Sequence, residues 1–320
     1  MSASIRKSSD DAVDYRAYLD PAVLAKISGL ELRARMIVEG FFSGMHHSPF
    51  HGLSAEFADH RVYAQGDDIR HIDWKLYGKT DKYYIKEYEQ ETNLNLMVVV
   101  DCSESMGFRS DEAALSKHEY ATSLAAAISY LALRQRDSVG LALLDEHLAS
   151  FVRPSNSPHH WKTLVRELDR APGSGRTALG RAFAELAERL AVRTLIIVIS
   201  DLFDDTEATL RGLKHLRYRK HEPVVINVLD PAELSFPLEG PTMFLGLEGT
   251  GRLLADPGAL RVSYLEALER FQGDYRLGCS RMNIGYSVFD TKAPLDAALS
   301  TYLATRSARI RQRSSRVMRG

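Results

Sequence analysis

The chain has 320 residues, with 41 Lys and Arg against 42 Asp and Glu, a net charge of −1, 26% charged and 45% hydrophobic residues. That balance excludes a disordered polyelectrolyte and a domain that is basic throughout. The length suffices for one large domain or two smaller ones. Apolar runs such as Leu195–Ile199 and Leu96–Val100 fall far short of the roughly 20 residues that span a bilayer. The opening MSASIRKSSDDAVDY has no apolar core of the signal-peptide kind. With only Cys102 and Cys279, neither a disulfide framework nor a cysteine zinc site is in play. A soluble, cytoplasmic protein is expected.

Residues 1–19 are polar and acidic, a loose lead-in. A helical pattern then runs from Asp20 through Leu24, Ile27, Leu30, Leu32 and Met36 towards Phe41, until Gly40, Gly44, Pro49 and Gly52 break it into loop. Residues 56–74, EFADHRVYAQGDDIRHIDW, are dense in charges and aromatics, with a turn expected at Gly66-Asp67-Asp68. Residues 82–91 read as strand.

The character changes after Asn93. Residues 94–100 are apolar on both faces, as a buried parallel strand is, and the run stops at Asp101. A helix follows, with Ser110 as expected cap, Asp111 and Glu112 in its first turn, and Ala121, Leu124, Ala125, Ile128 and Leu131 on its apolar face. Residues 139–144 and 148–152 are spaced to form a hairpin. Helices near 158–168 and 178–190 precede a strand at 194–200 that ends at Asp201. A helix at 206–216 leads to a strand at 224–229, closed by Asp230. A β-like excursion over 236–254, a helix over 257–271, a strand at 284–289 and a last helix from Pro294 complete the chain. From Arg306 to Arg319 there are six arginines and no acid, read as a solvated basic tail whose removal leaves the fold undisturbed.

Strands alternating with helices imply βαβ units and an α/β, doubly wound, mostly parallel sheet. Ligands of such sheets bind beyond the carboxyl ends of the strands, where strand order switches. Asp101 and Asp201 each close a strand of that kind. The first loop reads Asp101-Cys102-Ser103-Glu104-Ser105, so alternate residues can turn one carboxylate and two hydroxyls towards a point. Gly173-Ser174-Gly175-Arg176-Thr177 delivers a further hydroxyl just before a helix. These are hard oxygen donors, which suit Mg²⁺ or Mn²⁺.

Asp101, Ser103, Ser105, Thr177 and Asp201 resemble the metal-ion-dependent adhesion site of von Willebrand factor A domains. Residues 52–74, SDLFDD at 200–205 and LDPAELSFP at 229–237 sharpen the match. Over about residues 25–305 the chain is similar to the bacterial domain of unknown function 58 proteins. The resemblance implies that Asp101, Ser103, Ser105 and Thr177 meet the ion directly or through water, with Asp201 in its outer shell. It also implies a MoxR-type AAA+ ATPase as partner and a chaperone-like or maturation role. The domains expected are an N-terminal extension (1–91), the von Willebrand A-like domain (92–305) and the basic tail (306–320).

Nothing in these loops demands catalysis. Glu104, Asp204 and Asp205 are the nearest candidates for a general base, but a helix cap with acidic first-turn residues near Thr206 is the favoured reading. The expected function is therefore a non-enzymatic, Mg²⁺-dependent protein-binding module, with an acidic side chain of the partner as a ligand at the metal. The alternative is a metal-dependent phosphohydrolase using the same ion. Nucleic acid is not expected as a partner. Arg61, Asp67, Asp68, Arg70 and Asp73 form either a charged partner surface or a locally paired turn with Trp74 as a packed anchor, and both readings stand.

Other motifs fail on their own requirements. Gly78-Lys79-Thr80 lacks the glycine that a phosphate-binding loop needs at position 73, occupied by Asp73. Gly173-x-Gly175-x-x-Ala178 follows a helix-like segment rather than a strand, against a dinucleotide fingerprint. His46, His47 and His51 cluster without a thiol or paired acid to complete a metal site. Cys102 reads as a small buried hydrophobe.

Overall fold

The computed structural model describes residues 18–46, 60–63, 74–80, 83–86, 94–170, 178–246 and 251–317. The pattern expected as one helix from Asp20 divides into α1 (Pro21–Leu24) and α2 (Leu30–His46). Gly29 separates them at φ +88°, a left-handed conformation that glycine adopts without a Cβ clash. Short strands β1 (His60–Val62) and β2 (Tyr84–Lys86) pair antiparallel around α3 (Trp74–Thr80). Gly78, Lys79 and Thr80 are thus helical, not a phosphate loop.

The main unit starts at β3 (Asn95–Asp101), followed by α4 (Lys117–Arg134), the hairpin β4 (Ser138–Leu144) and β5 (Leu148–Ser155), α5 (His160–Leu168) and α6 (Leu179–Arg189). Then come β6 (Leu195–Ser200), α7 (Thr206–Tyr218), β7 (Glu222–Leu229), α8 (Pro231–Ser235), the hairpin β8 (Thr242–Gly246) and β9 (Gly251–Ala255), α9 (Pro257–Arg281), β10 (Gly285–Asp290) and α10 (Asp296–Val317).

Six strands form the central sheet in the order β10-β7-β6-β3-β4-β5. All neighbours are parallel except the β4–β5 hairpin at one edge. This is the doubly wound arrangement expected from the alternation of strands and helices. Because strand side chains alternate, β3 feeds two cores. Leu96, Val98 and Val100 enter one with α2, α4, α5 and α10, while Met97 and Val99 enter the other with α6, α7 and α9. Leu30, Ala34, Ile37, Val38 and Phe41 of α2 are buried at helical spacing in the first core. Among the described residues no helix is long and apolar enough to cross a membrane.

Three local expectations are corrected. The cap of α4 is Ser116, not Ser110. Ser116 Oγ accepts from the Glu119 N–H at 3.1 Å and a Glu119 carboxylate oxygen accepts from the Ser116 N–H at 2.9 Å, a reciprocal capping box. The Ser110 N–H instead donates to Asp230 at 3.0 Å. Helix α9 continues ten residues past Phe271 to Arg281, because buried Tyr275 and Cys279 outweigh the weak helix propensity of Gly273 and Gly278.

The third concerns the basic tail. Residue 306, expected to begin it, lies inside α10, and Arg306 Nε donates to the buried Asp137 carboxylate at 2.8 Å.

Candidate metal centre

Adjacent strands β3 and β6 send the chain to opposite sides of the sheet, to β4 and to β7, so their carboxyl ends flank the switch point. Asp101 closes β3, Ser200 closes β6, and Asp201 follows directly after it. Asp101, Ser103, Ser105, Ser200 and Asp201 are all buried there.

The loop after β3 curls because Asp101 Oδ1 accepts from the Ser103 N–H at 2.9 Å. Ser103 then caps a single 3₁₀ turn, Glu104–Gly107, which carries Ser105 back over the strand end. The Ser103 and Ser105 hydroxyl oxygens come to 3.0 Å of one another. From the other strand, Ser200 Oγ donates to Asp101 Oδ2 at 2.6 Å and accepts from the Leu202 N–H at 2.8 Å. Leu202 follows at φ +62°, a conformation that costs a side-chain-bearing residue about 1 kcal/mol, with its carbonyl held by the Tyr275 hydroxyl at 3.2 Å.

Burial, with the Asp201 charge adding to it, pushes the Asp101 carboxyl up to about 7. A carboxylate in that setting calls for a proton or a cation. One carboxylate and two hydroxyl oxygens at one strand end fit a hard divalent ion and do not fit zinc or copper. Among the described residues no three His, Cys, Asp or Glu side chains come together in metal-binding fashion.

Asp201 is engaged differently. Its Oδ1 accepts from the Phe203 N–H at 3.2 Å, and its Oδ2 accepts from Lys117 Nζ at 2.8 Å. The same ammonium donates to Glu233 Oε1 at 2.6 Å. Burial pulls the Lys117 ammonium down, but Asp201 and Glu233 outweigh it and hold it above the ordinary lysine value. Sequence reasoning missed Lys117 and Glu233. The only cue is a lysine in the first turn of a helix, where the macrodipole disfavours a cation.

Asp204 and Asp205 serve as caps. Asp204 Oδ2 accepts from the Leu179 N–H at 2.7 Å, and Asp205 Oδ1 accepts from the Ala208 N–H at 3.0 Å. Cys102 is buried, and burial pushes its thiol up to about 12, which makes it a poor nucleophile. Thr177, Asp67, Asp68, Arg70 and Asp73 lie outside the described residues, and Arg61 is described only as backbone of β1. Trp74 is corrected: it is 62% exposed, meeting Tyr77 edge-on rather than anchoring a core.

The family model for "Protein of unknown function DUF58" matches residues 59–272, which include β3, the switch point and α8. The chain belongs to the DUF58 family. Uncharacterized proteins of Mycobacterium bovis and Mycobacterium tuberculosis are 27% identical over 259 residues, 80% of this chain and 80% of each relative. Among solved structures, BatB of Bacteroides thetaiotaomicron shares 16% identity at a TM-score of 0.46, covering 67% of this chain and 99% of that one. The SpRpn10 VWA domain shares 13% identity at a TM-score of 0.39, covering 65% and 94%. The fold of this DUF58 protein is fixed independently of these by its strand order.

Proposed function

We propose that this DUF58 protein is a non-enzymatic, Mg²⁺-dependent protein-binding module, with Mn²⁺ as the substitute ion. The observation that supports it is the convergence of the Asp101 carboxylate with the Ser103 and Ser105 hydroxyls at the switch point of the sheet. In this reading Asp101, Ser103 and Ser105 hold the ion, Thr177 adds a fourth oxygen, and Asp201 stands behind. The bound ion supplies a partly hydrated positive centre for an acidic side chain of a partner. The resemblance to metal-ion-dependent adhesion sites supports that use. The resemblance to DUF58 proteins supports a MoxR-type AAA+ ATPase as the partner, in a chaperone-like or maturation role. An ATP-driven partner puts the complex in the cytoplasm.

Calorimetric titration of Mg²⁺ with and without a saturating MoxR-type ATPase tests this. Linkage requires the partner to raise Mg²⁺ affinity by the factor by which Mg²⁺ raises its own, typically about 5- to 150-fold. An unchanged Mg²⁺ dissociation constant overturns the ion-mediated contact. Sustained Mg²⁺-dependent phosphoester turnover, lost in Asp101→Ala, would instead identify a phosphohydrolase.

A further inference from the structure

Lys117 is a buried cation shared between two carboxylates. Its side chain is 1% exposed, and it sits at the first position of α4, against the helix dipole. Removing an ammonium from water costs several kcal/mol, and an apolar cluster in place of all three charged groups would fill the space without that penalty. The ammonium is nonetheless held at 2.8 Å from Asp201 and 2.6 Å from Glu233, with the Phe203 and Phe108 rings 4.8 and 5.8 Å away. Glu233 is fixed in turn, because its second oxygen accepts from the Asp230 N–H at 2.8 Å in the capping box of α8. Three segments, the start of α4, the end of β6 and α8, therefore hold one cation against Asp201, the carboxylate whose charge bears on Asp101.

We propose that Lys117 is a positioning residue for the ion site: shared between Asp201 and Glu233, it holds the Asp201 carboxylate away from the ion and leaves Asp101 as the carboxylate that meets it. This rests on the ion-binding reading above and adds a determinant of charge to it. Two carboxylates on a dication would cancel its charge and weaken its pull on an acidic ligand. With Asp201 occupied by an ammonium, the ion keeps charge for an anionic group arriving from outside. The arrangement trades intrinsic ion affinity for affinity towards a carboxylate ligand.

Mg²⁺ titration of the full chain by calorimetry, on wild type, Lys117→Met and Lys117→Met/Glu233→Gln, tests the proposal. Freed from the ammonium, Asp201 turns to the ion, and the Mg²⁺ dissociation constant falls by about tenfold or more in both variants. Structural damage would move it in the opposite direction. The double variant removes one charge of each sign, so tightening there reports Asp201 rather than net charge. It also carries the test if the single variant fails to fold. An unchanged or weaker Mg²⁺ affinity in a folded variant overturns the role of Lys117 alone. No Mg²⁺ binding in any of the three proteins overturns the ion site and this role together. Loss of cooperative unfolding in both variants marks Lys117 as structural and overturns the proposal.

Discussion

Asp137 ties the two ends of the main unit together, accepting from the Leu94 N–H through Oδ1 at 3.2 Å and from Arg306 Nε through Oδ2 at 2.8 Å. The carboxylate is buried and the guanidinium nearly so, with side-chain exposures of 1% and 13%. Tyr302, fully buried one helical turn before Arg306, has its phenol pushed well up by burial and by the Asp137 charge.

Arg306→Ala removes a charged partner from a buried carboxylate. The expected loss is about 2 to 3 kcal/mol, read as a lower midpoint in urea with an unchanged slope. Asp137→Asn in the Arg306→Ala background should add little, since the two act as one unit. Additive losses in the double variant would show that the pair is not coupled.

Asp101→Ala should keep the fold and abolish the response to Mg²⁺. An ion that binds only the folded state stabilises it by about 2.7 kcal/mol at a hundredfold excess over its dissociation constant. Wild type should melt several degrees higher in Mg²⁺ than in chelator, and the variant at the same temperature in both. Equal shifts in both proteins would remove Asp101 from the ligand set.

The raised Asp101 carboxyl gives the ion-free protein a signed pH dependence. With a value of about 7 folded against 3.8 ordinarily, the folded state binds more proton than the unfolded state between those limits. Stability from this group is therefore present at low pH and lost as pH rises from about 4 to 7. In chelator, the stability of wild type relative to Asp101→Asn should fall across that window. With Mg²⁺ the trend reverses, since ion and proton compete for one carboxylate and ion binding strengthens as pH rises. A flat difference between the two proteins in chelator would show that Asp101 is ionised throughout.

Gly180→Ala tests the packing behind the site. A Cβ there would lie 2.5 Å from the Ala208 carbonyl oxygen, where α6 meets α7 backbone to backbone. Helix propensity favours alanine by about 1 kcal/mol, but the clash is with main chain and requires the helices to part. A net loss of about 2 kcal/mol is expected, or several degrees in thermal unfolding. A gain in melting temperature would mean that α6 slides freely over α7.

Residues 94–100 announced a buried strand, since an apolar run on both faces suits only a strand covered on both sides, and β3 is that strand. The serines of the D-x-S-x-S stretch were legible in the same way. A strand end followed by alternate polar residues marks a polar loop there, in which Asp101 holds the Ser103 N–H and a 3₁₀ turn brings the Ser105 hydroxyl to that of Ser103. Such features depend on local periodicity, and a sequence carries local periodicity in full.

The cap of α4 was equally local, in the Ser116–Glu119 spacing, but Ser110 with its acidic neighbours offered a competing start. The choice between them came from Asp230, 120 residues away from Ser110, which takes its N–H. Lys117, Glu233 and the Arg306–Asp137 pair were not legible at all. Each joins residues separated by 84 to 169 positions. In the sequence a buried lysine looks like any surface lysine, and a partnered arginine like the start of a solvated tail. What burial does to a charge depends on which opposite charge is buried with it, and only the folding of distant segments against one another decides that.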